Sequence, residues 1–114
     1  MITIVDTTAP VWVTAPSALD TTLECSDAAG IAAAQAMVPV ASDNCDTDVS
    51  NIIKIEGVFV PGTSCAQAGS YTNTWTVTDD CGNVSAVYTQ VITIVDTTAP
   101  VWVTAPLALD TTLA

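Results

Sequence analysis

The chain has 114 residues, half of them hydrophobic, and a formal net charge of −11, with Lys54 its only base against twelve acids. That length has room for one domain and a tail. The charge excludes nucleic acid and anionic membranes as partners, because nothing is present to neutralise phosphates. The apolar residues are mostly Ala, Val and Ile, interleaved with Thr, and Leu is scarce. β-Branched residues favour strands, so composition alone points to an all-β fold.

Residues 2–23 recur at 92–113, ninety positions on, with the single change of Ser17 to Leu107. A match this long at a fixed spacing is the signature of a tandem array. The chain divides into the end of a preceding repeat's strand (1–5), one full repeat (6–95) and the start of the next (96–114). Each copy carries Asp-Thr-Thr-Ala-Pro, at 6–10 and 96–100, which we take as the joint between neighbours. Met1 stands where the second copy has Val91, which suggests an added start at a cut point. No export signal is visible, so one is expected elsewhere in the parent protein.

Residues 2–5 alternate as the last rung of a strand. Pro10 breaks it, since it donates no hydrogen bond and extends the residue before it. A first strand follows at 11–14, is interrupted at Ala15-Pro16, and continues at 19–25 as an edge strand blunted by proline. Residues 26–30 form a turn. The Ala-rich run 31–37 is ambiguous between a short helix and a loop, with a second strand over 36–41. Residues 42–48 make an Asx-rich turn, 49–56 a third strand and 57–60 a short fourth. A loop holding Cys65 spans 61–69. Residues 71–78 alternate cleanly, with Tyr71, Asn73, Trp75 and Val77 on one face and threonines on the other, as in a half-buried strand. Residues 79–83 turn, and 84–95 form the last strand. About seven short strands with regular turns predict an immunoglobulin-like β-sandwich, Trp75 in its core, followed by a partial second repeat.

The order Asp-Thr-Thr-Ala-Pro, Glu-Cys, Ser-Asp-Asn-Cys and Tyr-Thr-Asn-Thr-Trp-Thr-Val-Thr-Asp-Asp-Cys-Gly-Asn resembles the hyalin-type (HYR-like) Ig-like repeat. It is most similar to versions strung in tandem in large surface and gliding adhesins of Bacteroidetes. The resemblance covers residues 6–95. It implies a stalk or adhesion role rather than catalysis. The Ala-rich insert at 28–37 departs from it.

In a sandwich with alternating strand directions, the chain entry, the 43–48 turn and the 79–83 turn share one end. Asp6, Asp43, Asn44, Asp46, Asp79, Asp80 and Asn83 would then form an oxygen shell for Ca²⁺, which takes six to eight oxygens. Asp96 is the equivalent candidate at the second joint. The plain alternative is that these Asx residues cap their own turns.

The even cysteine count, without a Cys-x-x-Cys pair or any His, favours two disulfides and an oxidising, extracellular or cell-surface location. The same geometry favours Cys25–Cys65 and Cys45–Cys81, with Cys25–Cys45 and Cys65–Cys81 as the other option. Catalysis is not expected: without His or Arg, neither a Ser-His-Asp relay nor an anion clamp can be built. No cleft-forming loops flank the paired acids Asp79 and Asp80.

The tail from 96 on cannot bury Val101, Trp102, Val103 and Leu109 by itself. It is expected either to dock on another chain, head to tail, or to fold back on its own sheet. The expected function is to extend and stiffen a stalk. The alternatives are a self-assembling filament subunit and a module that binds glycans or proteins.

Overall fold

The structure is a computed structural model that describes residues 1–113; Ala114, the last residue of the partial repeat, lies outside them. Its elements are, in order, β1 (Val11–Trp12), β2 (Thr21–Glu24), α1 (Ala28–Gln35), β3 (Ala41–Ser42), β4 (Ile52–Ile55), β5 (Val60–Pro61), β6 (Gly69–Val77) and β7 (Tyr88–Val95). The fold is all-β with one short helix. β1 pairs with β3 in a small sheet, and the larger sheet runs β2-β7-β6-β4, with β5 also on β6. The predicted alternation in β6 holds: Asn73, Trp75 and Val77 are buried and Tyr71 is half-buried. β7 buries Tyr88, Gln90, Ile92 and Ile94 on the same side.

The interruption at Pro16 carries the chain from one sheet to the other. β1 belongs to the small sheet and β2 to the large one. Between them Ser17 takes a left-handed backbone (φ 65°), and Asp20 Oδ1 accepts from Val91 N at 2.7 Å. β2 then runs parallel to β7, with Glu24 level with Val95. The two sheets meet through aromatic edges. Tyr88 lies 5.6 Å from Trp12 and 6.0 Å from Trp75, centroid to centroid, both edge-on with interplanar angles of 62° and 65°. Trp12 Nε1 donates to Ala86 O at 2.7 Å, and the Tyr88 hydroxyl donates to Ala15 O at 2.7 Å.

The Ala-rich run resolves as helix. Asp27 caps it, accepting from Gly30 N at 2.9 Å, and its start precedes the expected 31 by three residues. Its two turns of mostly small side chains let it lie close on the sheet, with Ala34 and Ile31 against Ile92 and Ile94. The second strand is correspondingly shorter and later than 36–41.

Two buried amides fasten this helix. Asn73 Nδ2 donates to Gln35 Oε1 (2.7 Å) and to Gln90 Oε1 (3.0 Å), and Gln90 Nε2 donates to Ala34 O and Leu19 O, each at 3.0 Å. Asn73 Oδ1 accepts from Gly57 N at 3.1 Å. Lys54 adds a bond to Gln35 O at 2.6 Å while standing 5.5 Å from the Trp75 ring centroid. Buried amides left without partners cost about 1–3 kcal/mol each. Asn73→Ala is therefore expected to lower unfolding free energy by about 3 kcal/mol or more. Thr72→Ala, on the exposed face of the same strand, is expected to change it little. Urea unfolding of the two variants checks this.

Candidate metal centre at the entry end

β6 and β7 are joined through a tight turn at 79–83. Gly82 supplies the left-handed step (φ 86°) that few other residues accept. Gly82 N donates to Asp79 O at 3.1 Å, and Asp79 N to Asn83 O at 3.0 Å. Inside this turn the Asp79 side chain is 4 % exposed. Its Oδ1 accepts from Cys81 N (3.0 Å) and Asn83 N (2.9 Å), and its Oδ2 from Asn83 Nδ2 (2.9 Å). Asn83 Nδ2 also donates to Asp6 O at 3.1 Å, which ties the incoming linker to the turn.

The second turn packs against the first. Asp43 Oδ2 accepts from Cys45 N (3.0 Å) and Asp46 N (2.9 Å), and Asp46 Oδ2 accepts from Asp80 N (2.9 Å). One carboxylate oxygen each of Asp6, Asp43 and Asp79 lies within 4.8 Å of the others. Asp43 Oδ1 is buried there and has no hydrogen-bond partner.

The residues expected to gather at this end thus divide. Asp6, Asp43 and Asp79 form a compact carboxylate triad with Asn83 beside it. Asp46 and Asp80 form an adjoining acidic pair, and Asn44 is exposed in the groove along the 42–47 turn. Many of these oxygens also cap turns, as the plain reading holds. The unpartnered Asp43 oxygen is the part that capping leaves unexplained. Ca²⁺ sits about 2.3–2.6 Å from its ligands, so ligand oxygens on opposite sides lie about 5 Å apart. The triad fits that spacing.

Its electrostatics are strained. Burial, then the charges of Asp43 and Asp79, hold the Asp6 carboxyl above its ordinary range. Burial pushes Asp79 the same way, but the bonds from Asn83 and Cys81 outweigh it and its pKa falls. The charge of Asp46, then burial, raises Asp80. Asp96, at the far end, keeps other company: its carboxylate lies with Glu24 and Cys25. Glu24 was not singled out from sequence. The signal was the parallel register that sets it beside Val95, which no local pattern encodes.

The cysteines fall into two neighbourhoods. Cys25 packs against the apolar cluster of Ile92 and Ile94, and Cys65 is near enough to act on its charge. Cys45 and Cys81 line one groove with Asp6, Asp46 and Asp80. Burial, followed by the surrounding carboxylates, pushes both of these thiols up. A thiolate nucleophile is therefore disfavoured there.

A family profile described as "HYR-like domain with 4 cysteines" matches residues 13–94. The chain belongs to this HYR-like family. No curated protein and no solved structure matches it. HYR-like domains occur in extracellular proteins and act as adhesion-type repeat modules. Among the described residues no helix is long and apolar enough to cross a membrane.

The triad makes a titration prediction. Asp6, with its raised pKa, contributes stability that is present at low pH and is lost as pH rises through its folded value. Asp79, with its lowered pKa, contributes stability that is present above the ordinary aspartate value and is lost as pH falls through its folded value. Carboxyl NMR in metal-free buffer is expected to resolve Asp6 titrating above free aspartate and Asp79 below it. Added Ca²⁺ is expected to move Asp6 down. Coincident titration of the two at the free value would mean the triad does not assemble.

Proposed function

We propose that the chain is one link of a tandem stalk in a secreted or cell-surface protein, of the kind found in large bacterial adhesins. It extends and stiffens that stalk and performs no catalysis. In this reading the body is an Ig-like sandwich, and its second copy begins at Asp96. The observation that carries the proposal is the pair of ends. The linker enters beside Asp79 and Asn83 and leaves beside Glu24, at opposite ends of β7. A module with entry and exit at opposite ends lengthens an array with each copy.

Two staples complete the reading: Ca²⁺ on Asp6, Asp43 and Asp79, and disulfides Cys25–Cys65 and Cys45–Cys81. The two cysteine neighbourhoods support that pairing over Cys25–Cys45 with Cys65–Cys81. Each bridge closes a loop of about 40 residues and is worth about 4 kcal/mol by chain entropy. Asp96 would ligate only when a following repeat supplies partners equivalent to Asp43 and Asp79.

A second reading, head-to-tail self-association, draws on the tail. Val101, Trp102, Val103 and Leu109 are all more than 80 % exposed. The tail does not fold back on its own sheet, and the molecule extends over 107 × 24 × 18 Å. A second copy could cover these residues by accepting them in place of its own 6–23 segment. Light scattering across concentrations tests that reading.

Calorimetry tests the first staple. Ca²⁺ is expected to bind with a dissociation constant on the order of 0.1–1 mM, as extracellular modules do. It should raise the melting temperature, and Asp79→Ala or EDTA should abolish the effect. Absence of both heat and thermal shift would discard the metal. Non-reducing peptide mapping of protein from an oxidising compartment is expected to recover the two stated cystine pairs.

A further inference from the structure

The pentapeptide appears twice, and each copy contacts a different neighbour. At 6–10 there is a repeat ahead but none behind. Asp6 is half-buried at the 79–83 turn, while Thr7 and Thr8 are exposed. At 96–100 there is a repeat behind and no body ahead. Here Glu24 takes the linker. Its Oε1 accepts from Thr97 N at 2.8 Å and from the Thr98 hydroxyl at 3.3 Å, and its Oε2 accepts from the Thr97 hydroxyl at 2.8 Å. These bonds, from the Thr97 amide first and then its hydroxyl, hold the Glu24 carboxyl below its ordinary range.

One local hydrogen bond is kept in both copies. Thr8 N donates to Asp6 Oδ1 at 3.3 Å, and Thr98 N donates to Asp96 Oδ1 at 3.4 Å. The two sets of contacts use different atoms. Glu24 takes the threonine amide and hydroxyls, whereas the body that follows residues 6–10 takes the aspartate carbonyl through Asn83 Nδ2. Both sets can therefore form at once on a single linker.

We propose that Glu24 is a clasp that grips the two threonines of the outgoing linker while the aspartate of that linker docks on the next repeat, so that consecutive copies are held at one angle. The inference rests on the tandem reading above. Its partner is a second copy of this domain, joined through residues 96–100 and presenting its own 79–83 turn. Glu24 and Asp96 stand close together, but both Glu24 oxygens are already occupied by donors. That end is accordingly a hydrogen-bonded clasp, and the orphaned Asp43 oxygen belongs to the other face of the joint.

The chain contains its own control, because Thr7 occupies the same local sequence without a Glu24 behind it. Amide hydrogen exchange on the intact chain is expected to be about tenfold or more slower at Thr97 than at Thr7. In Glu24→Ala the two rates should converge, while an unchanged melting temperature reports an intact body. Glu24→Gln should keep part of the difference, and Thr97→Val should keep the amide's share alone. Equal rates in the unaltered chain, or a ratio untouched by Glu24→Ala, would overturn the clasp. In a chain extended to two full repeats, residual dipolar couplings should fit one inter-repeat orientation and become averaged with Glu24→Ala in the first repeat. Averaging of the same size in both would overturn the fixed angle. A parent protein without further copies would defeat the stalk reading, yet the Glu24 contact would still appear in the exchange rates.

Discussion

The parallel pairing of β2 with β7 sets the form of the molecule. An antiparallel return would bring the chain's entry and exit to one end. Here β2 runs alongside β7 from Thr21–Ile92 to Glu24–Val95, so the chain arrives at one end and departs at the other. β7 has eight residues and at about 3.3 Å per residue separates the two ends by about 26 Å. Everything functional follows from that separation. The acidic turns and the Cys45–Cys81 neighbourhood meet the incoming linker, and Glu24 with the Cys25–Cys65 neighbourhood meets the outgoing one.

The repeated segment distinguishes what a sequence encodes locally from what the fold imposes. The turn after Pro16 survives in both copies. Ala18 N donates to Ala15 O at 3.2 Å, and Ala108 N to Ala105 O at 3.1 Å, with left-handed backbone at Ser17 and at Leu107. The strands do not survive. Ile92 and Ile94 are buried at 0 % and 4 % exposure, whereas Ile2 and Ile4, in the same Ile-Thr-Ile-Val sequence, stand at 88 % and 83 %. A proline-driven turn needs only its own residues. A strand needs a neighbour, and residues 2–5 lack β6.

The same distinction explains what was legible. Alternation marked β6, because one face is buried and the other is threonine-rich. The Ala-rich run had no periodic contrast, and the helix is held by the Asp27 cap, by its packing on Ile92 and Ile94 and by the buried amides. Asn73 and Gln90 looked like ordinary strand positions. Their role as a buried amide pair depends on Gln35, which lies 38 residues from Asn73 in sequence. Of the acids, Asp6, Asp43 and Asp79 were placed together by strand direction alone. Glu24 was missed, because its partners lie 73 and 74 residues away.

Charge is the second constraint. One lysine cannot balance twelve acids, and Lys54 is committed to Gln35, Trp75 and, at 3.5 Å, Glu56. The acids at the entry end are accommodated by backbone amides and by the Asn83 side-chain amide, an arrangement that a cation would relieve. The central claim, however, is geometric: modules built this way must add length. Small-angle X-ray scattering on chains of two, three and four repeats tests it most directly. The account predicts a maximum dimension that grows by a constant increment per repeat, at a cross-section near the 24 × 18 Å of the single module. A cross-section that thickens while length stalls would contradict it.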